Sequence, residues 1–395
     1  MISSVLQNKL LSFFLKKKLG YVFLTREYNV PPNGGVANSI FSMCEALYRN
    51  EKKISIVVSE NINNQYALIF NESHIIIKHP ISVWRPRELS LKTYTKHVKN
   101  ILRLIDKFSQ DYKVISRHLY YAYALRSIQV DFVYMLASFY PDETLEFVSR
   151  KENTIMKKIY LYIQYILQLK IEKKLVSSIK NIIVLSSLRQ RQMLHKYKVH
   201  TNFIHPGVNV PDHFRYQKKN ESPKNLLIHC RHEVRKNIDG FLSEVLRHKD
   251  YYQNMSIRII GDGPESAFLK EFVSSNSLNE IVTFYGYQKN FNPFYEWADF
   301  LIFPSIQEGF GQVILESIAR KVPVICYKDV DAPFKEIIDD QITGVLVNHS
   351  DKDSITLKLK EMKINSSYAN ICNNLETHKN KDWYSFLLEV EGEKR

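Results

Sequence analysis

Two glutamates, Glu308 and Glu316, bracket the turn in PSIQEGFGQVILESIARKVPVI, residues 304–325, with Gly309, Phe310 and Gly311 directly after the first. DFLIFPS, which precedes them, has the continuous apolar character of a buried strand, and GQVILESIARK has helical spacing starting at Gly311 or its neighbour. Glycines at a strand-to-helix turn permit positive φ and let a ligand approach the backbone closely. The first N–H groups of a helix are unpaired and carry the positive end of its dipole, so an anion fits there. Glu308 falls in the loop and Glu316 about one and a half turns into the helix, so they are not two carboxylates sharing a proton. Ile314, Leu315, Ile318 and Ala319 form the apolar stripe. Glu316 lies off it, on a flank with Gln312 and Arg320. One reading makes Glu316 a solvated i,i+4 partner of Arg320. The other has this flank line a ligand site, where the carboxylate accepts two hydrogen bonds from a vicinal diol such as a ribose or a sugar ring. Glu308 similarly either complements the helix N-terminus or faces the ligand.

Other stretches carry chemistry of the same kind. In LLIHCRHEVRKNIDGF, residues 226–241, a strand ends near His229, and Arg231 and Lys236 lie in the turn before the next helix. Two cations at the carboxyl end of a strand suit a diphosphate, Arg being able to bind two oxygens; the plainer reading is surface charge. FLTREYNVPPNGGVANSIFSMCEAL, residues 23–47, places Gly34 and Gly35 between a strand and a helix, a second turn suited to a phosphate. IIGDGPE, residues 259–265, looks like the start of a dinucleotide fingerprint. Its third position is Ser266, and the next strand offers no acidic residue for a ribose, so it reads as a tight turn. DVD at 329–331 reads as an acidic turn and not as a metal-binding pair. His195, His200 and His205 recur at a spacing that does not put them on one helix face, and the four cysteines are far apart with no CxxC. No metal site and no disulfide framework is expected from them.

The elements that must position these residues divide in two. The 395 residues exceed one ordinary core. In the second half, Asn225–His229, Ser256–Ile260, Ile281–Tyr285, Asp299–Phe303, Pro323–Tyr327 and Gly344–Val347 read as buried strands, with helical patterns such as Phe268–Val273 and Gln312–Ala319 between them. In the first half, Tyr21–Thr25, Ile54–Ser59, His74–Lys78, Lys113–Arg117, Asp131–Met135 and Ile182–Leu185 are strand candidates, and Ala37–Tyr48 and Ile155–Leu175 are helical. Repeated β-α units imply parallel sheets covered by helices, which bind ligands at the carboxyl ends of their strands. The boundary is expected in FIHPGVNVPDHF, where Pro206, Gly207 and Pro211 interrupt regular structure. The expected domains are residues 1–205, residues 206–378, and a last helix within 379–395 around KDWYSFLLEVE. Two doubly wound domains facing each other across a cleft are the expected architecture.

Charge is distributed unevenly. Residues 1–200 hold 31 Lys and Arg against 14 Asp and Glu, a balance of +17, and residues 201–395 balance at −3. The first half should face something anionic: a lipid headgroup surface, a phosphate-bearing acceptor or nucleic acid. No stretch has the ~18 uninterrupted apolar residues of a membrane span. MISSVLQNKLLSFFLKKKLGY has its lysines after the apolar stretch and no small-residue cleavage site, which argues against a signal peptide. It reads as a basic amphipathic helix, packed on the sheet or adsorbed to a membrane surface.

Taken together, in order and spacing, these residues resemble the retaining glycosyltransferases of family 4, often called group 1, whose fold is the two-domain α/β arrangement GT-B. Gly34-Gly35, VLSS at 184–187, HPGVNVPDHF, Arg231 and Lys236 spaced five apart, GDGP, EGFGQVILE and PVICY…KEIIDDQITGVLV each match a family motif. DWYSF resembles the family's last helix, which crosses back to the first domain. The resemblance is strong over 225–348 and thin over 50–180. It implies transfer of a sugar from a nucleotide-diphosphate sugar, with retention of the anomeric configuration and without a metal or other cofactor. By resemblance, Glu316 holds the nucleotide's ribose and Glu308 contacts the donor sugar near the reacting carbon. The amides of Gly309, Phe310, Gly311 and Gln312 hold sugar hydroxyls and phosphate. Arg231 and Lys236 neutralise the leaving diphosphate, and Gly34 and Gly35 close over it. Preorganised donors of this kind stabilise developing charge.

The chain also departs from the family pattern. Ala137 and Ser138 stand where many members have a histidine; His118, after KVISR, is a candidate substitute on the acceptor side. Asn209 replaces an aspartate, and Asp331-Ala332 replaces a glycine pair. The basic first half and MKKIYLYIQYILQLKIEKK suit a lipid-linked or otherwise anionic glycan acceptor. The expected function is therefore a cytoplasmic glycosyltransferase, peripheral on the inner face of the cytoplasmic membrane, in bacterial surface polysaccharide assembly such as O-antigen, capsule or lipopolysaccharide. The alternatives are a non-catalytic binding subunit of an assembly complex and a sugar-nucleotide epimerase of related fold. Nucleic-acid binding is suggested by charge alone, and no recognised motif supports it.

Overall fold

The computed structural model describes residues 18–28, 35–61, 66–80, 91–136, 139, 141, 144, 154–209, 223–365 and 367–392. The basic start at 1–17, Gly34, Ala137 and Ser138 lie outside these residues. The chain divides into two compact units, one of residues 1–205 with 383–395 and one of residues 206–382.

The first unit is built on β1 (Leu19–Leu24), β2 (Ile54–Asn61), β3 (Ala67–Phe70), β4 (His74–Pro80), β5 (Lys113–Ser116), β6 (Val133–Leu136), β7 (Ile182–Val184) and β8 (Asn202–Phe203). Their order across the sheet is β3-β4-β2-β1-β5-β6-β7-β8, and only β3 runs antiparallel, on β4. Runs such as ISIVV in β2 are buried on both faces because helices cover the sheet on each side, so apolar residues are continuous instead of alternating. Strand order reverses between β1 and its neighbour β5. The sequence did not announce β3, nor helices Leu91–Ile105 and Leu119–Ser127. AYALRS is weakly patterned because its helix is buried around most of its circumference, and a four-residue edge strand leaves too little periodicity to read.

The second unit has six parallel strands: β9 (Asn225–His229), β10 (Ser256–Ile260), β11 (Val282–Gly286), β12 (Phe300–Phe303), β13 (Val324–Tyr327) and β14 (Gly344–Val347). They are ordered β11-β10-β9-β12-β13-β14. Order therefore reverses between β9 and β12, which pair directly through Phe300 with Leu226 and Leu301 with Leu227. At such a reversal, the helices leaving the two neighbouring strands lie on opposite faces, and the loops at the carboxyl ends part to leave a crevice.

The last helix, Trp383–Val390, belongs to the first unit although it follows the second in sequence. It packs on helix Gly35–Glu51 and buries Trp383, Phe386, Leu387 and Leu388. Tyr21 of β1 donates to the Glu391 carboxylate, and Lys113 Nζ of β5 stands 2.8 Å from Glu391 Oε2. Residues 379–382, which the sequence reading grouped with this helix, fall in the second unit, where Val208 N donates to Lys381 O at 2.9 Å.

Phe386 is fully buried. Phe386→Ala is expected to cost about 3–5 kcal/mol through lost burial and the cavity left behind. Urea unfolding should show the transition of the first unit moving to lower denaturant while that of the second stays in place.

Candidate active site

The sequence-predicted residues of the second unit converge on the β9/β12 reversal. The loop after β9 carries Arg231, Arg235 and Lys236, the last two in a single 3-10 turn, Val234–Lys236. The loop after β12 carries Glu308, Gly309, Phe310 and Gly311 and leads into helix Gln312–Ala319. The two loops are stitched by backbone: Ile306 N donates to Arg235 O at 3.0 Å. Glu308 N donates to Asp331 O at 3.2 Å, so the departure Asp331 anchors this loop through its carbonyl.

At the centre, Lys236 Nζ donates to Glu308 Oε1, and both side chains are buried, at 8% and 7% exposure. Arg235 Nη1 lies 3.5 Å from Glu308 Oε2 and donates to Gln307 O at 3.4 Å, while its Nη2 lies 2.8 Å from Glu233 Oε2. Lys236 Nζ also sits 5.3 Å from the Phe303 ring centroid. Burial works to raise the Glu308 carboxyl, but Lys236 and Arg235 outweigh it and hold it below the ordinary carboxylate range. Glu308 is thus ionised at neutral pH, and three cations meet two carboxylates in this cluster.

Arg231 is placed differently from Lys236. It is exposed, and its Nε lies 3.2 Å from Glu233 Oε1. The loop that bears it is fixed from behind by GDGP. Gly261 has φ +120°, and a Cβ there would stand 1.9 Å from Cys230 O; a Cβ at Gly263 would stand 2.3 Å from His232 O. The backbones of the two loops touch, which only glycine allows. His232 Nδ1 and Ser266 Oγ, 2.7 Å apart, close the contact.

The amide-bearing turn follows its chemistry. Gly311 adopts φ +100° as N-cap, and Gln312 is the first helical residue. Among the described residues, the amides of Gly309, Gly311 and Gln312 donate to no other group. Phe310 is buried. The Gln312 side chain donates to Gly207 O at 3.0 Å, which leaves its amide aimed along the helix axis at the loop.

Glu316 is not half of a solvated ion pair. Arg320 is only 3% exposed and turns inward. Its Nη1 donates to the Glu316 backbone O at 3.0 Å and its Nε to Asn292 Oδ1 at 3.0 Å, and it lies over the Phe291 and Tyr295 rings at 4.9 and 5.2 Å. The Glu316 carboxylate makes no hydrogen bond among the described residues. It is partly buried, and desolvation pushes its pKa up to about 7, with Arg320 pulling the other way. A carboxylate kept partly dry with its acceptor sites open is poised for a ligand that donates hydrogen bonds. Burial and nearby Arg320 and Lys236 push the His229 imidazole down to about 3, so it is neutral, with Nδ1 2.9 Å from Tyr295 Oη.

In the first unit, Gly35 opens helix Gly35–Glu51, with no atom of the described residues beyond its chain neighbours and its own helix backbone within 4 Å of where its Cβ would stand, and His118 follows β5, so both flank the β1/β5 reversal. His118 is buried among Tyr94, Tyr120 and Tyr121, with ring centroids 6.4, 5.1 and 5.6 Å away. Its neighbour Arg117 donates to Ser39 Oγ at 3.0 Å. From the sequence, Arg117 carries no signal and Arg235 reads as unremarkable surface charge beside Lys236. Arg235 had one signal, its adjacency to Lys236, but a 3-10 turn has no periodicity from which to infer its direction. DVD is an acidic turn: Asp329 accepts from His349 N at 2.6 Å and Ser350 N at 3.2 Å. Among the described residues there is no group of three His, Cys, Asp or Glu side chains arranged to hold a metal.

Residues 209–379, less than half of the chain, match the family model described as Glycosyl transferases group 1. Solved structures extend the likeness over both units. Sucrose-phosphate synthase from Thermosynechococcus elongatus superposes with a TM-score of 0.71 at 16% identity, covering 95% of this chain and 98% of that one. Anabaena HepE, solved in complex with UDP and glucose, superposes with a TM-score of 0.67 at 12% identity over 95% of this chain and 98% of its own. The fold is that of the GT-B glycosyltransferases. Among curated proteins, the chain is 28% identical over 121 residues to a Campylobacter jejuni enzyme, the N-acetylgalactosamine-N,N'-diacetylbacillosaminyl-diphospho-undecaprenol 4-alpha-N-acetylgalactosaminyltransferase. That match covers 30% of this chain and 33% of the relative, and the chain spans less than two thirds of the other curated relatives it matches.

The raised pKa of Glu316 has a definite sign. Between the unfolded value near 4.5 and about 7, the folded state holds a proton that the unfolded state has lost, so this group's contribution to stability falls as pH rises through that window. Burial also pushes Glu244 up to about 7, so carbon-13 observation of the glutamate carboxyls should find two titrating near neutrality, and Glu316→Gln should remove one of them and lessen the slope of the stability profile between pH 4.5 and 7.

Proposed function

We propose that this protein is a glycosyltransferase that moves a sugar from a nucleotide-diphosphate sugar to a glycan acceptor carried on a lipid diphosphate, in the assembly of a bacterial surface polysaccharide. The observation that carries this reading is the cluster at the β9/β12 reversal. Buried Lys236 and half-buried Arg235 lie on Glu308, amides that donate to no other described group cap the helix after it, and Glu316 stands partly dry with no hydrogen bond to its carboxylate among the described residues.

The chemistry of these groups suits the donor. The ribose diol donates two hydrogen bonds to the Glu316 carboxylate. The diphosphate takes the helix N-terminus and the ammonium of Lys236, with Arg231 reaching it from the exposed loop. In the reaction, the bond between the anomeric carbon and the diphosphate oxygen breaks and a bond from the acceptor hydroxyl oxygen forms. The acceptor proton passes to an oxygen of the leaving diphosphate, which holds the acceptor hydroxyl on the face the leaving group occupied, so the new bond forms there and the anomeric configuration is retained. Lys236, Arg231 and the amides meet the charge that develops on the leaving group, and in this reading turnover needs no metal. Glu308, held ionised, faces the positive charge developing on the sugar ring. The lipid diphosphate acceptor is supported by the diphospho-undecaprenol substrate for which the Campylobacter relative is named, and a sugar-nucleotide donor by the UDP complex of a protein with the same fold.

Calorimetry of UDP, GDP, ADP and dTDP against the wild type and Glu316→Ala tests the donor site. Hydrogen bonds to a charged group are worth about 1.5–3 kcal/mol, so one nucleotide should bind and the variant should lose roughly 10- to 150-fold. Affinity should also weaken as pH falls through 7, because the diol needs the ionised carboxylate. Equal binding by Glu316→Ala, or no nucleotide bound at all, would sink the assignment.

Lys236→Ala should lower kcat by about 10²–10³, and turnover should persist in EDTA. Release of an altered sugar nucleotide without acceptor would mark an epimerase instead.

A further inference from the structure

Helix Ile155–Val176 presents two different outward surfaces. Its second half is anchored: Gln168, Glu172, Leu175 and Val176 are buried, Gln168 donates to Tyr120 Oη at 3.2 Å, and Glu172 accepts from Tyr197. Its first half is bare. Ile155, Met156, Ile159, Tyr160, Tyr162 and Ile163 are 47–78% exposed. At 100° per residue they occupy an arc of about 160°. Carried along the helix, that arc reaches Lys170, Lys173 and Lys174, all exposed. The apolar residues therefore lie ahead of a lysine cluster on one side of one rod, with Ile163 and Lys170 about 10 Å apart along the axis.

We propose that this face docks on an anionic lipid bilayer, with the apolar turn in the interfacial layer and the lysines on the headgroups. The dimensions fit, because apolar residues of peripheral helices sink roughly 5–10 Å below the headgroup boundary. Charge selects the occupant. The helix holds five lysines and one acidic residue, Glu172, which is buried away from this face. A second copy of the chain would bring lysine against lysine, whereas an anionic bilayer supplies an apolar layer and a negative layer in the order the helix displays. Helix Leu91–Ile105 adds an exposed stripe of Lys92, Lys96, Lys99 and Arg103 in the same run of packed helices, joined through Leu119–Ser127. The inference deepens the lipid-linked acceptor of the proposed function and rests on it for its biological sense, but not for its test.

The full-length protein should co-sediment with phosphatidylcholine vesicles containing about one third phosphatidylglycerol, and release as salt rises. It should leave pure phosphatidylcholine largely unbound. The double variant Ile159→Asp with Ile163→Asp should bind at least tenfold more weakly. The triple variant Lys170→Glu, Lys173→Glu, Lys174→Glu should bind roughly a hundredfold more weakly. These positions are exposed, so circular dichroism and nucleotide calorimetry of both variants should match the wild type. A wild type that binds nucleotide but not the anionic vesicles would overturn the docking face and spare the enzyme assignment. Unchanged vesicle binding by both variants would overturn it equally. So would a wild-type dimer in sedimentation velocity that the aspartate variant renders monomeric, which would make the face a contact between copies.

Discussion

A carboxylate shut away from water must find a cation, and in this molecule that requirement ties the functional loops together. Removing one partner of a buried pair costs about 3–5 kcal/mol, so Glu308 and Lys236 stay in contact only if their loops keep one relative position. Lys236 comes from the loop after β9 and Glu308 from the loop after β12. The contact therefore spans the point where strand order reverses, and Arg235, the Ile306 amide and the Asp331 carbonyl reinforce it. Once those loops are set, the start of helix Gln312–Ala319 is set as well, and with it the direction of its unpaired amides and the place of Glu316.

The surrounding packing serves this arrangement by consuming the groups that would compete with it. Arg320 could have neutralised Glu316 at the surface. Instead it is drawn inward over Phe291 and Tyr295 and spends its donors on a backbone carbonyl and Asn292. Glu316 is left with its acceptor capacity open in a low-dielectric setting, which is what raises its pKa. The Gln312 side chain is similarly engaged by Gly207 O, while its amide stays clear. GDGP fixes the Arg231 loop by letting two backbones touch and contributes no polar side chain to the cluster.

Much of the fold was legible from the residues. Asn225–His229, Ser256–Ile260 and Gly344–Val347 read as strands with the bounds they have, because continuous apolar runs between glycine and polar turns have few other uses in a buried parallel sheet. Where elements broke that pattern they were missed. β3 is a short antiparallel edge, and Leu119–Ser127 is a helix apolar on most sides. Helix Ile155–Val176 was visible, but its character was not: its bare apolar arc lies outward in the first half and its buried face lies elsewhere in the second, so no single stripe runs its length.

The site divides in the same way. The identities and spacing of Glu308, Gly311, Glu316, Arg231 and Lys236 are properties of the chain, and so are the strand-to-helix turn and the free amides that follow it, because local geometry dictates them. Which cation would meet which carboxylate is not local. Lys236 reaches Glu308 across 72 residues, Arg235 joins it while Arg231 stays exposed, and Arg320 spends a donor on the Glu316 backbone carbonyl instead of its carboxylate and lies over two aromatic rings. Periodicity gives the side of a helix on which a residue stands, but not what another segment places opposite it. Burial and the charge of neighbours distant in sequence decide which group is ionised and which is left open, and both come into existence only when the sheets close.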